Sequence, residues 1–275
     1  MAVTRFQSEI LKLIARSRIA GGETYVAGGL ALNHQLRRPR VSEDIDVFNS
    51  SYDALVSASD MDRSVLVAAG YEVVLKRERN YVVEVTVSKG GETTDIQWVQ
   101  DSAYRFFPLI TDDLLGLTLH PFDLATNKLL ALAGRRVPRD WVDTITCAEL
   151  IQPLAFLAWA ANGKDQGLTP NFILDMCSRT TYVQKELDMV IRSSEPVDAA
   201  ALSRRWHGMI ERARETVKFL PPEEVGKVVM TREGDLFRGT DDELKSALQA
   251  GEIVFHEGVL GGAWPMIVDG AAVGG

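Results

Sequence analysis

With 275 residues and a mass of 30.3 kDa, the chain has room for one large domain or two ordinary ones. A hydrophobic share of 46% beside 25% charged residues is that of a soluble globular protein, and a net charge of −8 argues against a general nucleic-acid binder, though not against local basic patches. Two cysteines, Cys147 and Cys177, fall inside apolar helical patterns and read as small core residues rather than a disulfide or metal site, which suits a reducing cytoplasm.

In chain order, Thr4 and Gln7 form a capping box ahead of a helix whose apolar stripe is Phe6, Ile10, Leu13 and Ile14, stopped by Gly21-Gly22. This start does not read as a signal peptide. "TYVA" is a buried strand, "LALNHQL" a short helix, "DIDVF" a strand, and "DALVSASDMDRSVLVAAG" mainly helix to Gly70. "YEVVL", "YVVEVTV" and "TDIQWV" are strands, with "KRERN" and "SKGGE" as the polar turns between them. From Phe122 the pattern is helical until Pro221-Pro222. The remainder reads as short strands around one helix, capped by Thr240 or Asp241 and closed by Gly251, before a glycine-rich "DGAAVGG" end. The longest apolar run, "LIQPLAFLAWAA", holds a proline and is too short to span a bilayer, so no membrane partner is expected. The predicted class is α+β: a mixed-sheet core over 1–105, a helical domain over 106–221 and a small α+β appendage over 222–275.

Alternation on a strand puts Asp44 and Asp46 on one face and Ile45 and Val47 on the other. Two carboxylates about 6 Å apart repel by about 3 kcal/mol at an effective dielectric near 20. Divalent cations between the oxygens relieve that repulsion, and Mg²⁺ in particular takes carboxylate, phosphate and water oxygens. Asp95 stands on a later strand with its own apolar face in Ile96 and Trp98, and is the third candidate for a two-metal site. Gly28-Gly29, after one strand and opening a helix, lets backbone N–H groups approach an anion. Neither the three-glycine dinucleotide fingerprint nor a P-loop accompanies it. Lys128 lies in the apolar stripe of its helix, between Leu124 and Leu132, where it must either snorkel to water or meet an anion.

Together, "GGLALNHQLRRPRVSEDIDVF" and the downstream "NKLLALAGRRVPRDWVD" resemble the AbiEii/MenT type of nucleotidyltransferase toxin, within the minimal nucleotidyltransferase superfamily akin to the polymerase β core. Arg40, Ser42, Asp44 and Asp46 fit its Arg-x-Ser/Thr-x-Asp-hydrophobic-Asp pattern, and the likeness spans about Tyr25 to Ile145. It implies a nucleotidyltransferase fold and transfer of a nucleoside monophosphate from an NTP to a hydroxyl, with a tRNA 3′ end as acceptor. It further implies a toxin-like or phage-defence role, with a cognate antitoxin as possible partner. Asp44, Asp46 and Asp95 would hold two Mg²⁺ ions; Gly28, Gly29, Arg40, Ser42 and Lys128 would hold the triphosphate. Alternatives are a small-molecule (aminoglycoside-like) or protein acceptor, or a non-catalytic antitoxin or binding relative.

Asp143 reads as helix N-terminal charge paired with Arg135, Arg136 or Arg139, and Asp140 as either such a charge or a group orienting Lys128. Three basic clusters, Arg37/Arg38/Arg40, Lys76/Arg77/Arg79 and Arg135/Arg136/Arg139, are candidates for gripping RNA phosphates. The four histidines show no ligand spacing, and the tryptophans read as core.

Overall fold

The N-terminal helix starts where its capping box says it must: the Thr4 hydroxyl accepts from the Gln7 N–H, and Gln7 Oε1 accepts from the Thr4 N–H. The computed structural model describes residues 3–265, so the glycine-rich end lies outside the described residues. In chain order the elements are α1 (Arg5–Gly21), β1 (Thr24–Ala27), α2 (Gly28–Gln35), β2 (Arg40–Val41), β3 (Asp44–Asn49), α3 (Tyr52–Ala68), β4 (Glu72–Arg79), β5 (Val82–Lys89), β6 (Glu92–Gln100), β7 (Tyr104–Arg105), β8 (Ile110–Asp112) and β9 (Gly116–Thr118). There follow α4 (Pro121–Arg135), α5 (Pro138–Leu150), α6 (Leu154–Lys164), α7 (Pro170–Ser178), α8 (Gln184–Val190), β10 (Arg192–Ser193) and α9 (Ala199–Val217). The last are β11 (Val228–Thr231), α10 (Asp241–Ala250), β12 (Ile253–His256) and β13 (Val259–Leu260).

A seven-stranded mixed sheet in the order β4-β5-β6-β3-β1-β9-β8 organises the first half. β3 runs antiparallel to β1 and parallel to β6. Ile45, Val47, Ile96 and Trp98 are fully buried on one face of these strands. α3 covers that face, and its Asp62 accepts from the Trp98 indole N–H at 3.0 Å. Polar residues at the alternate positions therefore emerge on the opposite face.

Three features differ from the sequence reading. The sheet does not end at residue 105, because β8 and β9 return to pair beside β1. "KRERN" is not a turn: Lys76 to Arg79 continue β4, the exposed edge strand, where charged side chains block edge-to-edge pairing. The C-terminal strands and α10 form the expected small α+β unit, yet Val228, Val229 and Met230 belong to the common core, and β13 pairs with β7.

The apolar run around Pro153 becomes α6, packed against α4, α7, α9 and β11 and buried from Leu154 to Ala161. Among the described residues no single helix is long and apolar enough to cross a membrane. Cys147 and Cys177 are buried free thiols, as expected. Trp98, Trp141, Trp159 and Trp206 are core, whereas Trp264 is 60% exposed and rests against Phe107 and His120.

Candidate active site

The register of β1 on β3 pairs Ala27 with Asp46, so β1 ends directly beside the second aspartate. There the chain must leave the sheet to begin α2, and it does so at Gly28 with φ +68°. A Cβ at Gly28 would lie 2.0 Å from Asp46 Oδ2, and one at Gly29 2.8 Å from an Arg40 guanidinium nitrogen. Glycine at 28 is thus required both by the left-handed backbone and by the close approach of the carboxylate. Gly28→Ala is expected to destabilise the protein by about 2 kcal/mol or more, read from urea unfolding.

Asp44 and Asp46 share the open face of β3 and border a cavity of about 640 Å³. Gly28, Gly29, Arg40, Ser42 and Lys128 line the same cavity. Among the described residues no group donates a hydrogen bond to either aspartate, and Arg139 approaches Asp44 only to 3.8 Å. Burial pushes the pKa of Asp46 above the ordinary carboxylate range, Lys128 opposes this, and Asp44 adds to it. Asp44 shifts upward for the same leading reason.

Lys128 does not snorkel. It is 8% exposed, with its ammonium 3.1 Å from Asp140 and 3.0 Å from Asp143. Burial works against its charge, but Asp143 and Asp140 outweigh that and raise its pKa. Asp140 also accepts from Arg135 at 2.6 and 3.0 Å. Both sequence readings of Asp140 therefore hold at once. Asp143 departs from expectation: its partners are Lys128 and Arg40, not the arginines of its own neighbourhood. Arg40 forks onto it with Nε at 2.9 Å and Nη2 at 2.7 Å, and both side chains are almost wholly buried. The result is a chain of alternating charge, Arg40–Asp143–Lys128–Asp140–Arg135, that fixes the ammonium facing the cavity.

Asp95 pairs in register with Asp44 on the adjacent parallel strand, on the same face. Its carboxylate is held away from the cavity by Lys76 at 2.7 Å and the Thr86 hydroxyl at 2.7 Å. Gln97 takes the position beside Asp46. No three His, Cys, Asp or Glu among the described residues cluster as a ready metal cage. Asp44 and Asp46 nonetheless fit Mg²⁺, which binds through one or two carboxylates and completes its shell with water and substrate phosphate. Two desolvated, unbonded acids on one strand face are a donor set that a hard cation would relieve.

The basic clusters are largely committed to internal pairs. Arg38 reaches Glu195, Lys76 and Arg77 reach Glu84, and Arg135 reaches Asp140. Gln97 and Asn127 line the cavity without having been singled out from the sequence, and Arg135 and Arg139, read there as candidates for gripping RNA phosphates, line it too. The histidines are structural or exposed, as expected: His120 caps α4, His34 meets Asp112, and His256 meets the Phe106 carbonyl.

No family model and no curated protein matches the sequence. Solved structures do. MenT4, a nucleotidyltransferase toxin from Mycobacterium tuberculosis H37Rv, superposes with a TM-score of 0.57 at 12% identity, over 79% of this chain and 83% of its own. The chain has a nucleotidyltransferase fold. JHP933 from Helicobacter pylori superposes with a TM-score of 0.53 at 15% identity, over 78% of this chain and 95% of its own. The nucleotidyltransferase fold is the one implied by the resemblance of the Gly-Gly and Asp-x-Asp segments, and it holds the cavity just described at the junction of β3, α2 and α4.

Proposed function

We propose that the protein is a metal-dependent nucleotidyltransferase that moves a nucleoside monophosphate from an NTP to an acceptor hydroxyl. The observation that carries this reading is the meeting of a glycine turn, two unbonded aspartates and a buried, ion-paired lysine in one cavity of about 640 Å³, a size suited to a nucleotide.

In the reaction the acceptor oxygen bonds to the α-phosphorus, the bond to the pyrophosphate bridging oxygen breaks, and the hydroxyl proton is lost. Asp44 and Asp46 would hold Mg²⁺, which when bound neutralises charge at the phosphoryl oxygens. Lys128 supplies a fixed positive charge to the triphosphate, preorganised by Asp140 and Asp143. The N–H groups of Gly28 and Gly29, at the start of α2, and the Ser42 hydroxyl offer further donors to phosphate. Arg40 acts as a positioning residue, holding Asp143 and through it Lys128. The proton of the acceptor hydroxyl would pass to a carboxylate of the strand face, Asp95 or the 41% exposed Asp44. A role for Asp95 would require its ion pair with Lys76 to open.

The resemblance to nucleotidyltransferase toxins, one of which superposes on this chain, supports RNA as acceptor, with a tRNA 3′ end as the site of transfer. A toxin-like or phage-defence role in the cytoplasm, restrained by an antitoxin, belongs to the same reading. Incubation with α-labelled NTPs, Mg²⁺ and total RNA is expected to label RNA with wild-type protein and not with Asp44→Ala. No labelling by wild type, or equal labelling by the variant, would overturn the reading.

A further inference from the structure

The cavity extends past the aspartates. β3 continues from Asp46 to Phe48 on the same face, about 7 Å farther along at the usual rise of a strand. The parallel register sets Val99 of β6 beside Phe48. Leu124, one helical turn before Lys128 on α4, closes the other side, and all three residues line the cavity. The Phe48 ring is held by Tyr25, stacked at 6.1 Å between centroids and 16° between planes. Phe48, Val99 and Leu124 give this end an apolar surface for a flat group, with the polar side chains of Gln97, Gln100 and Asp101 along the β6 side.

One polar side chain at this end has a fixed orientation. Lys164 Nζ lies 2.7 Å from the Asn127 side-chain oxygen, and the lysine side chain is only 9% exposed, anchored by Asp123 at 2.8 Å. An ammonium carries donors only, so the atom it meets must be the amide oxygen. The Asn127 NH₂ is therefore turned the other way, and among the described residues no acceptor takes it. Asn127 lines the cavity, so it presents a neutral donor, and no acceptor, beside the apolar surface.

We propose that this end receives the nucleobase and that Asn127, locked by Lys164, donates a hydrogen bond to a carbonyl oxygen of the base. Uracil, cytosine and guanine carry such an oxygen. Adenine carries no such oxygen: its ring nitrogens accept, but its exocyclic amino group, at the place of guanine's oxygen, is a donor that meets a donor. Asn127 is thus a specificity-determining residue favouring oxo-bases over adenine, an inference that rests on the nucleotide-binding reading of the cavity.

Calorimetric titration of the full chain with each of the four NTPs in Mg²⁺ tests this. Wild type is expected to bind UTP, CTP and GTP about tenfold tighter than ATP, the effect of setting the Asn127 donor against an amino group in place of a carbonyl oxygen. Asn127→Leu should level the four, and Asn127→Asp, which keeps a partner for Lys164 but presents an acceptor, should shift the order toward ATP. A flat order in wild type overturns the proposal, as does an order unchanged in both variants. So does discrimination that follows the sugar, with UTP favoured over deoxy-UTP and the bases equal. Binding of nucleotides in a flat order would sink the base assignment alone, whereas no binding of any NTP would sink the reading of the cavity and this inference with it.

Discussion

Replacing Asp46 by asparagine is expected to abolish nucleotidyl transfer and, at the same time, to raise the melting temperature in the absence of metal. Burial lifts the Asp46 pKa above its ordinary value, so the folded state holds this proton more tightly than the unfolded chain does. Stability contributed by such a group is fully present below the unfolded pKa and falls as pH rises through the folded pKa. Ionising Asp46 in the folded state thus carries a cost, which a neutral amide of the same shape removes. The gain should vanish in acid below the ordinary carboxylate range, where the wild-type side chain is protonated in both states. Activity moves the other way, because a metal ligand at the phosphoryl centre is worth several kcal/mol, or about a thousandfold in rate. Mg²⁺ should narrow the stability gap by stabilising wild type more than the variant. Scanning calorimetry at neutral and acidic pH, with and without Mg²⁺, reads all of this. A variant less stable than wild type at neutral pH without metal would show that Asp46 serves packing rather than a ligand.

The second large effect is expected at Asp143. Alanine there strips Arg40 of both its hydrogen bonds and Lys128 of one carboxylate, leaving a guanidinium that is 5% exposed without an anion. Breaking a buried pair by removing one partner destabilises by about 3–5 kcal/mol. Urea unfolding should show that loss, and the double variant Arg40→Met with Asp143→Leu should recover a good part of it, since replacing both charges removes the desolvation penalty. A loss below about 1 kcal/mol for Asp143→Ala would contradict the buried pair. The double variant separates stability from catalysis: it should be folded yet impaired in transfer, because Lys128 then relies on Asp140 alone.

What could be read from the chain is what depends on neighbours in sequence. The capping box at Thr4, a cap at Thr240 or Asp241 (Thr240 takes it), the αL stop at Gly251 and the shared face of Asp44 and Asp46 all follow from spacing. Lys128 in an apolar stripe left two outcomes open, snorkelling to water or meeting an anion, and burial decides for the second. The partners of that charge were not legible in the same way. Arg40 and Asp143 are 103 positions apart, and nothing local marks either as the other's counterion. Asn127 and Lys164 meet only because α6 packs across α4. "KRERN" misled because an exposed edge strand carries charge as a turn does, and period-two alternation disappears when neither face is buried. The strand pattern put Asp95 on a carboxylate face, but its place beside Asp44 and its commitment to Lys76 and Thr86 depend on cross-strand pairs that only the sheet order reveals.

The most direct measurement is a crystal structure of the protein with a non-hydrolysable NTP and Mg²⁺. The triphosphate is expected between the Gly28-Gly29 turn and Lys128, with metal on Asp44 and Asp46 and the base against Phe48. Nucleotide bound elsewhere, or within the cavity but out of reach of the two aspartates, would contradict the proposed site.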